Sequence, residues 1–241
     1  MSVPTRDAWG QPIGPALPDW KAPEVPPRRA LRGAFCEVVP LDPHRHGPDL
    51  FRAFAADEDA RRWTYLPYGP FANEAAFRAW LQASAPSADP LFFAIVDASG
   101  CAVGVASYLR ITPAHGVIEV GHLNFSSRMQ KRQAATEALF LLMQNAFELG
   151  YRRYEWKCDS LNQPSRSAAQ RLGLSFEGIF RQAIVYKGRS RDTAWYAAID
   201  SDWPQLERAY RSWLAPENFT VDGQQRTPLR TLTAPVLVRQ G

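Results

Sequence analysis

The chain has 241 residues, 46% hydrophobic and 22% charged, with Lys+Arg at 28 against Asp+Glu at 24. That usage excludes a disordered or disulfide-stapled protein and supports one core of roughly 150–200 residues with extensions. A net charge of +4 does not single out a nucleic-acid partner, and no stretch approaches the ~18 apolar residues of a membrane span.

Cys36, Cys101 and Cys158 are odd in number and form no CxxC pair, and residues 1–20 hold no apolar run of the signal-peptide kind. The expectation is a cytoplasmic protein without a structural metal; His44-x-His46 lacks a third ligand. Residues 1–33 carry seven prolines from Pro4 to Pro27, which rules out helix or central strand there. The stretch reads either as an extended arm pinned by Trp9, Ile13, Leu17 and Trp20 or as a disordered linker. A strand is expected over 35–39, closed by Pro40, then a helix over 49–62 with Leu50, Phe51, Phe54 and Ala55 on its apolar face. After a turn-rich aromatic stretch from Trp63 to Phe71, Asn73 caps a helix carrying Ala76, Phe77, Trp80 and Leu81.

Strands over 91–96 and 102–106 form a hairpin across residues 97–100, and a strand over 116–125 pairs back on them. The strongest helical pattern covers 133–149, stopped by Gly150. A strand over 154–158, a helix over 164–172 and strands over 176–186 and 193–199 follow. A last helix begins near Trp203, and the tail after Pro216 is polar and aperiodic. The order predicts an α+β fold: a mixed, mostly antiparallel sheet with helices on both faces, the helix over 133–149 crossing between two parallel strands. The domain limits read as an arm over 1–33, a core over 34–200 and a helix with tail over 201–241. The arm and the last helix are the candidates for a homodimer contact or for covering the sheet.

The chemistry concentrates where the strand from Glu119 to Phe125 runs through Arg128, Gln130, Lys131 and Arg132 into the helix at Gln133. A helix N-terminus offers unpaired amides and partial positive charge to a phosphate, and three cations precede this one. Charge spacing alone fits a solvated basic loop equally well.

This block, followed by residues 154–159, Asn162-Gln163-Pro164-Ser165, Leu172-Gly173, Phe176-Glu177-Gly178 and Lys187 to Asp192, resembles the GNAT superfamily of acyl-CoA-dependent N-acyltransferases. The nearest likeness is to its ribosomal-protein N-terminal acetyltransferase (RimJ/RimL-like) branch. The resemblance implies a single GNAT-like domain with a V-shaped splay between two central strands. It also implies acetyl-CoA as co-substrate, no metal, and an acceptor that is a protein N-terminal α-amine or a small-molecule amine. The thioester would lie on the main chain of His122, Leu123 and Asn124. The remaining cofactor contacts would be Phe125, Arg128, Gln130, Lys131, Arg132, Gln133, Ala134, Ala135, Asn162 and Ser165. Glu119 or His122 would take the amine proton, and Ser165 would serve the leaving thiolate or cap its helix. Trp63, Tyr65, Tyr68, Phe71 and Trp156 would wall the acceptor pocket.

Three departures bear on that expectation. Gln133 stands where the pyrophosphate loop usually has Gly, which matters if the position needs positive φ. Ala169 stands where the wider superfamily commonly has Tyr, and Ile184 where this branch places a second carboxylate. They leave open an alternative reading, a catalytically weak acyl-CoA-binding module.

Overall fold

The computed structural model describes residues 5–57 and 59–241, so Pro4 of the arm lies outside the described residues. Strands β1 (Thr5–Arg6) and β2 (Pro12–Ile13) pair with each other, and β3 (Leu31–Arg32) opens the main sheet. Trp9, Ile13, Leu17 and Trp20 are all exposed, which corrects the expectation that they pin the arm. The arm is held further along, by side-chain and carbonyl hydrogen bonds, since prolines offer no backbone donor. Arg28 donates to the carbonyls of Ala85 and Pro86, Arg29 to Asn145 Oδ1, and the Tyr151 hydroxyl to the Glu24 carbonyl.

β4 (Cys36–Pro40) leads into α1 (Pro43–Ala55), six residues ahead of the expected start, while Arg61–Trp63 forms a separate 3₁₀ turn. Asp42 caps α1 by accepting from the amides of His44 and Arg45, and Pro43 fills a first-turn position where no donor is needed. Pro48 sits inside this helix, so reading proline as a breaker delays the predicted start. His46 Nδ1 accepts from the Asp42 amide at 3.0 Å, which makes the His44-x-His46 segment part of a helix start. α2 (Glu74–Ser84) begins at its Asn73 cap, 2.9 Å from the Ala76 amide.

β5 (Leu91–Asp97), β6 (Ala102–Thr112) and β7 (Val117–Phe125) form the antiparallel meander. α3 (Gln133–Glu148) crosses back so that β8 (Arg153–Asp159) runs parallel to β7. α4 (Gln163–Arg171) precedes the hairpin of β9 (Ser175–Tyr186) and β10 (Arg189–Ile199), giving the order β3-β4-β5-β6-β7-β8-β10-β9. The fold is the α+β arrangement the element order predicts.

Two cores sandwich the sheet. On one face α3, α4 and α5 (Trp203–Leu214) bury Ile118, Tyr154, Trp156, Leu142 and Tyr210; on the other, α1 and α2 bury Phe54, Trp63, Phe77 and Phe92. α5 covers α3, with Tyr210 stacked on Phe140 at 5.2 Å. The aperiodic tail is packed rather than loose: in α6 (Leu229–Thr233), Leu229 and Thr233 are buried, and Thr233 Oγ1 donates to the Arg171 carbonyl. Buried Glu137 of α3 accepts from the amides of Ala34, Phe35 and Cys36, tying the crossover helix to the first strands. No helix of the described residues is long and apolar enough to cross a membrane.

Candidate active site

The parallel ladder between β7 and β8 runs from Val117 opposite Arg153 to Val120 opposite Trp156 and stops, although both strands continue. Past that point their facing edges have no ladder partner, and a cleft of about 1000 Å³ opens between them. A bulge accompanies the split. Val105 faces Asn124 while Ser107 faces Gly121, so β7 carries one residue more than β6, and His122 takes a φ of 51°. Leu123, Asn124 and Phe125 line the opening with Glu119 and His122.

Beyond Phe125 the chain turns onto α3. Its carbonyl accepts from Gln130 Nε2 at 2.8 Å and from Arg62 Nη1 at 3.2 Å. No side chain caps α3; the Ala135 amide donates to the Arg132 carbonyl at 3.2 Å, which leaves the amides of Gln133 and Ala134 without a partner among the described residues. The positive φ of the loop falls on Lys131 (61°), and Gln133 is the first residue of ordinary helix. Glycine at 133 is therefore unnecessary here, which removes that departure as an obstacle. Gln130 lines the cleft; Arg128, Lys131, Arg132, Gln133, Ala134 and Ala135 lie past its lining, around the helix mouth. Lys131 and Arg132 are exposed, whereas Arg128 Nη2 is 2.9 Å from Asp97 Oδ2 and closes the β5–β6 turn.

At the other lip, Asn162 Oδ1 caps α4 by accepting from the Ser165 amide at 3.2 Å. Ser165 is thus not the cap. Its Oγ accepts from Trp156 Nε1 at 3.0 Å, which leaves the hydroxyl proton to be donated elsewhere. Trp156 belongs to the α3/α4 face of the sheet and lines the cleft beside Ser165. Burial raises the Cys158 thiol beside it. Ala169 is fully buried and offers no hydroxyl.

The opposite face of β7 and β8 carries an ionic ladder. Arg110 Nη1 lies 2.8 Å from both oxygens of Glu119, and Lys157 Nζ lies 2.9 Å from Glu119 and 2.7 Å from Glu155. Arg153 Nε closes on Glu155 at 2.7 Å. Arg110 reaches inward because β6 bulges there: its φ is 47°, and Asp89 accepts from the amides of Arg110 and Ile111. Burial raises the Glu119 pKa, and Lys157 and Arg110 offset only part of that rise. The regular charge alternation Arg153, Glu155, Lys157, Asp159 was the sequence signal for this face.

His122 leaves the ladder for the aromatic cluster, with Nδ1 3.3 Å from the Tyr68 hydroxyl and its ring 5.0 Å from Phe92. Burial, with Arg110 nearby, lowers its pKa to about 4. The unfolded chain therefore binds a proton at His122 between about pH 6.5 and 4 that the folded chain does not, and stability falls with pH across that window. His122→Asn, which tolerates the left-handed backbone, is expected to remove on the order of 2–3 kcal/mol of that loss, measured by urea titrations at pH 7 and 4.5.

The acceptor wall needs correction. Trp63 and Phe71 pack edge-on at 5.3 Å, Tyr68 lies tilted against Trp80 at 4.4 Å, and none of Trp63, Tyr68 and Phe71 lines the cleft. Aromatic residues close together in sequence supply their own core more readily than a pocket. Tyr65 does line the cleft, and the remaining aromatic lining comes from the late hairpin as Phe180, Tyr186 and Trp195. Ile184 lines it too, an apolar group.

The family model described as an acetyltransferase (GNAT) domain matches residues 37–175. A crystal structure of a GCN5-related N-acetyltransferase from Brucella melitensis is 48% identical, covering 90% of this chain and 100% of that chain with a TM-score of 0.88. The N-acetyltransferase YnaD of Bacillus subtilis, itself uncharacterised, is 25% identical over 146 residues, 60% of this chain and 84% of its own length. An acetyl transferase from Salmonella typhimurium that modifies the N-terminal serine of ribosomal protein L7/L12 is 22% identical, covering 71% of this chain and 99% of its own at TM-score 0.61. That last likeness is one of fold alone. GNAT domains use acetyl-CoA as co-substrate. With more than half its length matched, the chain belongs to the GNAT acetyltransferase family and is an N-acetyltransferase.

Proposed function

We propose that the protein transfers an acetyl group from acetyl-CoA directly to a primary amine held in the same cleft. The observation that carries this reading is the break in the β7–β8 ladder after Val120, which leaves unpaired backbone beside the uncapped start of α3. Pyrophosphate would sit on the amides of Gln133 and Ala134 with Lys131 and Arg132 beside it, and the pantetheine arm would pass Asn162. The amine nitrogen attacks the thioester carbonyl, the C–N bond forms, the C–S bond breaks, and the thiolate leaves protonated.

For the amine proton, Glu119 is the better base of the two candidates. Burial makes it more basic than an ordinary carboxylate, whereas burial makes His122 a weaker base than an ordinary imidazole. Arg110 and Lys157 take three of the four lone-pair sites of Glu119, leaving one on Oε1 for the amine or a bridging water. Ser165 serves the thiolate, its hydroxyl oriented by Trp156.

Thiol release from acetyl-CoA with a panel of amines tests this, the product identified by its mass. Turnover on at least one amine is expected; tight coenzyme binding with no turnover on any would favour the binding-module reading. Reversing charge at Lys131 and Arg132 together is expected to raise the KM for acetyl-CoA about tenfold, and reversing Arg128, tied to Asp97, to do less. Steady-state kinetics with acetyl-CoA varied measures both.

A further inference from the structure

The late hairpin brings a cation without a carboxylate partner to the cleft. Most charges lining it are paired: Arg110 and Lys157 with Glu119, Arg62 with Asp57, while Asp159 accepts from the Tyr186 hydroxyl and the Leu161 amide at 2.9 Å each. Arg191 has no carboxylate partner among the described residues, and its guanidinium lies 5.7 Å over the Tyr186 ring. Its Nε is buried without an acceptor, and so is Nε1 of Trp195. Both residues line the cleft, and both lie on β10 at alternate positions of one face, with Thr193 between them. Two buried donors without acceptors on one wall of a binding cleft are a deficit that a ligand group with lone pairs would fill.

The same hairpin sets an apolar floor beside those donors. Thr193 faces Phe180 and Arg191 faces Ile184, so β9 carries two residues more than β10 over that interval. Gln182 takes a φ of 50° there, and its amide donates to Asp192 Oδ1 at 2.7 Å. The bulge presents Phe180, Ala183 and Ile184 to the cleft. Phe180 stacks on Trp195 at 4.4 Å while Lys157 lies 3.7 Å over the Trp195 ring, which fixes the indole.

We propose that the acceptor is an amino acid: a primary amine with a free carboxylate on the adjoining carbon and an apolar side chain. The carboxylate meets Arg191 and the Trp195 indole N–H, and the side chain meets Phe180 and Ile184. The α-amine then points to the Glu119 wall. This rests on the transferase reading above. A peptide N-terminus carries an amide carbonyl at that place, without the charge that Arg191 calls for.

The test pairs L-leucine and L-phenylalanine with their C-terminal amides, which keep the amine and side chain and lose the carboxylate. Initial rates with acetyl-CoA and calorimetric binding in the presence of CoA are both read. The wild-type protein is expected to favour each acid over its amide by about tenfold or more, and Arg191→Gln to bring that ratio close to one. Trp195→Phe keeps a ring for Lys157 and removes one donor, so it should lower the ratio part-way even if the Arg191 variant folds poorly. Amides used or bound as well as the acids, a ratio that survives Arg191→Gln, or no binding of either class would overturn the proposal. A binding preference for the acids without acetyl transfer would keep this site and sink the transferase reading; transfer to amines with no preference for the acids would do the reverse.

Discussion

Ser165→Ala is expected to lower kcat by roughly 100-fold while leaving acetyl-CoA affinity within about threefold of wild type. The hydroxyl lies at the first turn of α4, yet capping there is done by Asn162, so its loss leaves the helix start intact. What disappears is a proton donor whose oxygen already accepts from the Trp156 indole at 3.0 Å and whose hydrogen is therefore turned elsewhere. With Ala169 buried on the same helix, no second hydroxyl stands in from that position.

Trp156→Phe supplies the second arm of the experiment. It keeps most of the packing and removes the N–H that orients Oγ. If the two residues act as one unit, the double variant falls little further than Ser165→Ala alone. Stopped-flow turnover and isothermal titration with acetyl-CoA separate chemistry from binding. Unchanged kcat in Ser165→Ala would remove the residue from the mechanism and leave the leaving thiolate to solvent.

What the sequence revealed and what it withheld divide along physical lines. Elements with strong local signals are legible: the Asn73 side chain caps α2, and Gly150 with a φ of 93° follows α3, whereas the cap of α4 is Asn162 and not Ser165. α1 was misread because Asp42 and the N1 proline outweigh the disruption at Pro48, and that balance depends on packing rather than pattern. The β7–β8 edge of the cleft was legible as a place because strand, loop and helix are contiguous there. The rest of its lining was not. Arg110, Lys157 and Arg191 come from three strands, Arg110 at a bulge in β6 and Arg191 opposite a bulge in β9, and single-sequence periodicity carries no register. The aromatic run at 63–71 drew attention by its composition, whereas the residues lining the pocket are separated by more than 100 positions from Tyr65 to Trp195.

Lys157→Met is expected to destabilise the protein by about 3–5 kcal/mol at neutral pH, a drop in Tm of roughly 10 °C. Lys157 is buried between Glu119 and Glu155, which sit opposite each other on the parallel ladder. Without the ammonium, two carboxylates share a water-poor site with only Arg110 and Arg153 at its ends. The pH dependence identifies the cause. In the wild type, burial raises Glu119; Glu155 is also pushed up by burial, yet Lys157 and Arg153 hold it below its ordinary value.

Removing Lys157 raises both carboxylates, so the folded variant binds protons that the unfolded chain has released. Its stability then rises as pH falls from neutrality toward the unfolded carboxylate pKa of about 4.3. In the wild type Lys157 and Arg110 offset part of the Glu119 rise, so it gains less over that range, and the stability that Glu155 contributes is lost only below the unfolded carboxylate pKa of about 4.3. The gap between the two proteins therefore narrows on acidification, and urea titrations at pH 7.5 and 5.5 measure it. Glu119→Gln added to Lys157→Met should restore part of the loss at pH 7.5, because one uncompensated charge is gone. A gap that widens toward pH 5.5, or a double variant no more stable than Lys157→Met, would show that Lys157 acts by packing on Trp195 and not by charge.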